Sequence, residues 1–313
     1  MKKILFILSD YYKQHFNWLA FFLSIALGAV LIQMAYHDSF YERYIESQQD
    51  LAIQIFRYVQ MYAIAFMGTF ILQGIAERDL KFLKSTNWWL LNFLAIFLFA
   101  VRGADIPYGQ YIFGQNAGEL YSFYHKAGYN LGGFFMLMIP CFIYWFLVDR
   151  RNQNYYGFTI KGVDLKPYFI LLAMMIPLLF WAGTQPDFLE TYPRYTKLYI
   201  SESHEQYRFL VAIYELIYGS DFLFTEFFFR GFIILAFATK FGHRAILPMC
   251  VYYITIHFGK PLGETISSFF GGLLLGVIAY RTKSIYGGVI VHLGIAYLME
   301  LFAFLGRSGY LHL

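Results

Sequence analysis

Charged residues are scarce in this sequence, and their scarcity excludes most soluble folds. Only 14% of the 313 residues are Asp, Glu, Lys or Arg, whereas 59% are hydrophobic and 22% are aromatic. Soluble domains carry roughly 25% charged residues. The formal net charge is only +4, and the basic residues occupy short loops rather than one stripe, so we expect no nucleic-acid partner. The composition is that of a membrane protein.

Cysteine is almost as scarce. Cys141 and Cys250 are the two in the chain, and each falls within an apolar run. They provide neither a disulfide framework nor a CxxC metal pair. We therefore expect both to be small buried hydrophobic residues.

Long hydrophobic runs, in contrast, are abundant. A bilayer core needs about 20 apolar residues per helix. Nine runs approach that length: 16–36, 51–75, 87–102, 128–148, 167–183, 221–239, 245–258, 265–280 and 285–305. We predict an all-α polytopic membrane protein of about nine transmembrane helices. The stretch 202–220 mixes charges with an apolar face, so we expect an interfacial amphipathic helix there.

Basic residues alternate between the predicted loops. They are Lys2, Lys3, Arg78, Lys81, Lys84, Arg150, Arg151, Lys161, Lys166, Lys240, Arg244, Arg281 and Lys283. Because cytoplasmic loops carry an excess of Lys and Arg, we expect the amino terminus to be cytoplasmic. We interpret residues 1–150 as accessory helices and 160–305 as the part that bears a site, which places that site in the C-terminal half.

Four ionisable residues lie inside the last predicted spans: Glu226, Arg230, His257 and His292. An ionisable side chain near the bilayer centre costs about 2.5 to 3.5 kcal/mol, so such residues usually face protein or trapped water and have a function. A structural explanation exists for each, because a Glu–Arg pair at i, i+4 neutralises itself and a single membrane histidine often serves helix packing. Two histidines and a glutamate on three separate helices favour a shared site. Asp221 follows a Gly-Ser pair, which is typical of a helix cap.

Three short motifs carry a family resemblance. The segments "TEFFFRG", "YITIH" and "HLGIA" follow one another on the last predicted spans. They resemble the motifs of the CPBP family of intramembrane endopeptidases, which includes type II CAAX prenyl proteases and bacteriocin-processing proteins. The resemblance covers roughly residues 160–305. It implies an integral protein of a bacterial cell membrane that acts on a membrane peptide or protein substrate in the lipid bilayer.

The first motif of that family is a glutamate pair, three further residues and an arginine. Glu226 and Arg230 match it, while Thr225 stands where the family has its first glutamate. In the family, that first glutamate and the first histidine are thought to hold the attacking water. Since a threonine hydroxyl does not ionise near neutral pH, Glu226 is the remaining candidate for the general base.

The second and third motifs supply the histidines. Tyr253 and His257 match the aromatic residue four positions before a histidine. His292 matches the third motif, and Ala296 takes the place of its asparagine. By the resemblance, the second histidine and the asparagine stabilise the oxyanion.

Three functions remain open. The first is an intramembrane endopeptidase with catalytic residues Glu226, His257 and His292 and supporting residues Arg230, Tyr253, Thr225 and Ala296. The second is a catalytically inactive homologue that binds or protects a membrane partner. The third is a transporter, against which the lack of duplicated halves counts.

A metal is a further hypothesis. Glu226, His257 and His292 would supply the two histidines and one carboxylate of a catalytic zinc site. No HExxH sequence occurs in the chain, so the identity of any cofactor is unknown.

Overall fold

Helices account for nearly all of the regular structure. The computed structural model describes residues 2–113, 118–151, 153–161 and 163–310. Within these ranges the chain forms helices and no β-strand. The prediction of an all-α fold is confirmed.

Seven α-helices belong to the first half of the chain. They are α1 (Lys2–His15), α2 (Trp18–Tyr36), α3 (Leu51–Ala76), α4 (Thr86–Gly103), α5 (Tyr108–Phe113), α6 (Tyr121–Gly133) and α7 (Ile139–Tyr144). Two π-helical segments, Phe134–Met138 and Trp145–Asp149, flank α7. The helical stretch Gly118–Asp149 is therefore continuous.

Seven more follow in the second half. They are α8 (Lys166–Ala182), α9 (Pro186–Thr191), α10 (Tyr207–Glu226), α11 (Phe237–Phe241), α12 (Ile246–Thr255), α13 (Leu262–Thr282) and α14 (Tyr286–Arg307). A π-helix, Phe227–Ala236, joins α10 to α11.

The count of nine spans is not confirmed. In the part of the chain that the structure describes, six helical stretches are long and apolar enough to cross a bilayer. They are Trp18–Tyr36, Leu51–Ala76, Gly118–Asp149, Tyr207–Thr255, Leu262–Thr282 and Tyr286–Arg307. The predicted spans 221–239 and 245–258 both belong to the stretch Tyr207–Thr255. The predicted span 167–183 corresponds to α8, which is shorter than the six stretches. All nine predicted runs are nevertheless helical.

The stretch 202–220 is not a separate interfacial helix. Helix α10 begins at Tyr207 and continues without a break into the π-helix at Phe227. Of the charged residues in that stretch, Glu202, Glu205 and Arg208 are exposed, and Glu215 is half-buried with one carboxylate oxygen enclosed by protein. Residues 202–206 precede α10 as turns, so the helix begins later than predicted.

Several of the predicted loops that carry basic residues lie together at one end of the bundle, here called the basic end. It comprises α1 and the segments 77–84, 240–245 and 281–283. Arg281 lies 2.5 Å from Asp10, and Arg244 lies 2.6 Å from Glu77 and 3.0 Å from Asp79. The predicted alternation of basic loops therefore corresponds to one physical end of the molecule, and the cytoplasmic assignment of that end stays a prediction.

The opposite end is closed by the segment 186–200 and the start of α13. Tyr192 donates a hydrogen bond of 2.9 Å to Glu264, and the backbone N–H of Arg194 donates to both carboxylate oxygens of Glu300 at 2.9 and 2.8 Å. Burial raises the pKa of Tyr192 well above its usual range, so its hydroxyl remains a donor. The segment 186–200 is therefore bound to α13 and α14.

The π-helix lies at the centre of the molecule. All ten of its residues are buried, including Phe227, Phe228, Phe229 and Phe232 at 0% exposure. They share one hydrophobic core with residues from α3, α4, α12 and the Gly118–Asp149 stretch. These phenylalanines therefore pack against protein and not against lipid. Because this core crosses residue 150, the predicted accessory part and the predicted site-bearing part pack as one body.

The two cysteines behave as expected. Cys141 and Cys250 are both buried and free.

Candidate functional site

The site begins where α10 changes into the π-helix. Glu226 is the last residue of α10, and Arg230 lies in the first π turn. π-Helical turns are rare and occur frequently at functional sites. The sequence predicted a plain i, i+4 pair, whereas the structure carries the arginine on a wider turn.

Glu226 holds two partners through one oxygen. Its Oε1 lies 2.8 Å from Arg230 and 2.9 Å from His292 Nδ1. Because the carboxylate accepts, His292 donates through Nδ1 and its Nε2 carries the lone pair when the ring is neutral. The first and third sequence motifs, 66 residues apart, are thus joined by a direct hydrogen bond.

Tyr253 lies at the centre of the polar cluster. Its hydroxyl is 3.2 and 3.3 Å from the two ring nitrogens of His292, and its ring lies under Arg230 at 4.1 Å. Its carbonyl accepts a 2.8 Å hydrogen bond from His257 Nδ1. That bond leaves His257 Nε2 as the free ring nitrogen. The second motif therefore contacts the other two through its tyrosine.

Burial differs sharply across the cluster. Glu226 is 0% exposed and Arg230 1%, while the side chain of His292 is 16% exposed. A Cβ added to Gly288 would collide with Glu226 Oε2, an oxygen for which the described part of the chain supplies no hydrogen-bond partner. Glu226 is therefore enclosed by protein, and His292 is the member of the pair that reaches accessible space.

Helices of the first half support the site. Tyr36 on α2 donates to the carbonyl of Lys260 at 2.6 Å and lies 3.3 Å from the carbonyl of His257. A Cβ added to Gly28, also on α2, would lie 2.9 Å from Ile254. Nothing in the sequence motifs pointed to these residues, because their contacts cross more than 200 positions.

The sequence interpretation of Asp221 was wrong. It lies within α10 and not at a cap, and it pairs with Arg102 at 2.6 Å. Arg102 also stacks over the ring of Tyr129 at 3.8 Å. The Gly-Ser pair that suggested a helix start is instead a close-packing point, since a Cβ on Gly219 would collide with Tyr297.

The same part of the chain matches a known family. Residues 209–298 match the family model for Rce1-like proteins, described as type II CAAX prenyl endopeptidase Rce1-like. This stretch of the chain is therefore similar to that protease family. No curated protein and no solved structure matches the chain. The matched region is shorter than the stretch 160–305 over which the sequence showed the resemblance, and it contains all three motifs.

Two positions of this Rce1-like region depart from the family pattern, and the structure gives their surroundings. Thr225 is partly exposed, whereas the adjacent Glu226 is fully buried. Ala296 is buried one turn after His292 and offers no hydrogen-bond donor from its side chain. Neighbouring residues on the helix point in directions about 100° apart, so Glu226 does not occupy the direction of Thr225.

The donor set of the Rce1-like region does not form a metal site. Among residues 2–113, 118–151, 153–161 and 163–310, no group of three His, Cys, Asp or Glu side chains is arranged to hold a metal ion. Glu226 and His292 meet, but the carboxylate oxygen that joins them also pairs with Arg230 at 2.8 Å. We derive no step through zinc.

Proposed function

We propose that this protein is an intramembrane endopeptidase that hydrolyses a peptide bond of a membrane-associated substrate. The observation that carries the proposal is the 2.9 Å hydrogen bond from His292 Nδ1 to Glu226. A histidine oriented by a buried carboxylate is an effective general base, because the carboxylate fixes the tautomer and stabilises the imidazolium that forms. The similarity of residues 209–298 to a protease family supports the same reading.

In this mechanism His292 takes the proton of the attacking water through Nε2. Glu226 holds the ring in place, and Arg230 fixes the position of the carboxylate by pairing with the same oxygen at 2.8 Å. Glu226 itself is too deeply buried to meet water, so its role differs from that of the direct base expected from the sequence. The proton then passes from His292 to the departing amine, which leaves as the peptide bond breaks.

Two further groups complete the mechanism. His257 Nε2 holds the water, since Nδ1 of this ring is already committed to the Tyr253 carbonyl. The Tyr253 hydroxyl, 3.3 Å from His292 Nε2, is the donor that stabilises the oxyanion in place of the missing asparagine at Ala296. Loss of one such donor costs about 100 to 1,000-fold in rate.

The proposal extends to the topology of the chain and to its division into two parts. We propose a chain of nine membrane-embedded helical runs with a cytoplasmic amino terminus, in which 160–305 carries the site and 1–150 supports it. Tyr36 and Gly28, both in the first part, contact His257 and Ile254 in the second part. These contacts support a supporting role for residues 1–150. The substrate we propose is a membrane peptide or protein.

Cleavage of a membrane-peptide library by the purified protein in bilayers tests the mechanism. Wild type is compared with His292→Ala, His257→Ala and Tyr253→Phe. His37→Ala is the matched control, since that side chain is 76% exposed and lies outside the site. We expect cleavage by wild type and by the control, a loss of at least about 100-fold in His292→Ala and His257→Ala, and a loss of about 100-fold in Tyr253→Phe.

A silent wild type would contradict the enzyme proposal. In that case Thr225→Glu, which restores the carboxylate of the family motif at a partly exposed position, distinguishes the alternatives. Cleavage by Thr225→Glu alone would identify the natural chain as an inactive homologue that binds or protects a membrane partner.

A further inference from the structure

A second site lies at the basic end, away from Glu226. It is an open cavity of about 440 Å³. A water molecule takes about 30 Å³, so the cavity accommodates a group much larger than a single ion. Three segments form its wall: the loop 153–161, the start of α11 and the turn after α13.

Hydrogen bonds hold these segments in place. Ile285 N–H donates to the carbonyl of Gly157 at 3.0 Å, and the Ser284 hydroxyl donates to the carbonyl of Thr159 at 2.6 Å. Gly157 has a φ of +76°, and a Cβ there would lie 2.8 Å from Leu235. The cavity is therefore a built feature of the fold, because its two loops are bonded to each other and packed onto the central helix.

The lining offers positive charge and unused donors. Lys161 and Lys283 both line the cavity, and neither forms an ion pair with any residue in the described ranges. The Lys283 ammonium lies 4.4 Å from the centre of the Tyr280 ring, a contact that leaves its charge without an anionic partner. Gln153 also lines the cavity, and its Nε2 is a buried donor without a hydrogen-bond partner among the residues that the structure describes. An unsatisfied buried donor is costly, so an acceptor supplied by a ligand would relieve it.

Two threonines that line the cavity already donate their hydroxyl hydrogens to the backbone. Thr239 already donates to the carbonyl of Ala236 at 2.7 Å, and Thr282 donates to that of Ile278 at 2.9 Å. Thr159 also lines the cavity, and its hydroxyl oxygen accepts a 3.2 Å hydrogen bond from the Lys161 N–H. The lining thus offers the side-chain amides of Gln153 and Asn154 and two ammonium groups, and the described lining contains no acidic residue. This combination selects an anionic, oxygen-rich group such as a phosphate.

The loop also indicates where the phosphate comes from. Phe158 is 38% exposed and Ile160 is 64% exposed, and they alternate along the loop with Thr159 and Lys161, which line the cavity. Apolar side chains that alternate with cavity-lining polar ones are suited to the boundary between acyl chains and headgroups. Basic pockets between membrane helices bind anionic headgroups.

We propose that this cavity binds the phosphate headgroup of an anionic membrane lipid through Lys161, Lys283 and Gln153. The site is separate from the Glu226 cluster and does not depend on the proposed peptidase activity. The lipid would bridge the loop 153–161 and the turn at Lys283, and so clamp the end of the central helix.

Thermal unfolding of the purified protein in detergent micelles, titrated with phosphatidylglycerol, tests the proposal. Phosphatidylcholine is the neutral comparison, and inorganic phosphate is the soluble source of the same chemistry. We expect saturable stabilisation by phosphatidylglycerol alone. Lys161→Gln with Lys283→Gln weakens the apparent affinity by about 10 to 30-fold, as expected for two lysines at a headgroup.

Two variants separate this site from general surface charge. Lys81→Gln with Lys84→Gln removes the same charge from exposed positions at the same end and leaves the affinity unchanged. Gln153→Leu keeps the charge and weakens binding. Equal loss in both lysine pairs, or equal stabilisation by phosphatidylcholine, would overturn the proposal. Saturation by inorganic phosphate with no response to lipid would overturn the lipid assignment and identify a soluble phosphate ligand.

Discussion

Two arginine–carboxylate pairs in this protein have nearly equal lengths and very different surroundings. Arg230 lies 2.8 Å from Glu226, and both side chains are at most 1% exposed. At the basic end Arg244 lies 2.6 Å from Glu77, with side chains 22% and 14% exposed. Removing one partner of a buried pair leaves an uncompensated charge in a low-dielectric interior, whereas water compensates at the basic end. The distance between the charged atoms therefore does not predict how much each pair contributes to the free energy of unfolding.

The largest effect is expected from Glu226→Gln. It leaves the Arg230 charge buried without its partner, so we expect a loss of about 3 to 5 kcal/mol in the free energy of unfolding. Unfolding in detergent micelles, followed by circular dichroism, measures it. A change below that of Glu77→Gln would show that burial does not separate the two pairs.

The next largest effect concerns the glycine that encloses the carboxylate. Gly288→Ala places a methyl group against Glu226 Oε2, and overpacking of this kind costs about 1 to 3 kcal/mol. Gly271→Ala is the control, because a Cβ there meets nothing within 4 Å. Since alanine favours a helix interior over glycine by about 0.5 to 1 kcal/mol, the control is expected to stabilise. The same sign in both variants would contradict the close packing at Gly288.

Glu77→Gln tests the stability contribution of the partly exposed pair at the basic end. Arg244 keeps Asp79 as a second partner at 3.0 Å, and both lie near water. We expect a cost of about 0 to 1 kcal/mol, falling as salt is added. Unfolding measured at low and high ionic strength checks this, and the Glu226→Gln effect should be insensitive to the same change.

The smallest effect is a pH dependence at Asp79. The hydrogen bond from the Lys81 backbone N–H, together with Arg244, lowers the pKa of Asp79 from its ordinary 3.8. A carboxyl whose pKa is lower in the folded state contributes stability above its unfolded value, and loses it as pH falls through the folded value. Asp79→Asn should therefore match wild type at the acid end and differ slightly above pH 4. Stability curves of the two proteins that remain parallel across this range would refute the assignment.

Much of the architecture could be predicted from the sequence because membrane insertion depends on local composition. The run 16–36 is observed as α2, Trp18–Tyr36, and the run 51–75 as Leu51–Ala76. The i, i+4 proximity of Glu226 and Arg230 is also local, and it is present at 2.8 Å. The resemblance to a CAAX protease was readable from five matching positions, and the Rce1-like match at 209–298 confirms it.

Other features were not predictable, for identifiable reasons. The pattern at 202–220 resembled a separate interfacial helix because sequence alone does not reveal that α10 continues directly into the buried π-helix. Asp221 resembled a cap because its partner Arg102 lies 119 positions away. The phenylalanines of "TEFFFRG" are equally suited to lipid and to a protein core, and only the surrounding helices decided for the core.

The sequence by itself determined that this chain is a helical membrane protein, and which few ionisable residues it carries into the apolar interior. Both follow from the free energy of placing each residue in a bilayer, which neighbours within a turn are enough to set. The tertiary structure decided that His292 meets Glu226, that Gly288 encloses the carboxylate, and that Lys161 and Lys283 share one cavity. These contacts join distant parts of the chain, and their geometry depends on how all the helices pack together.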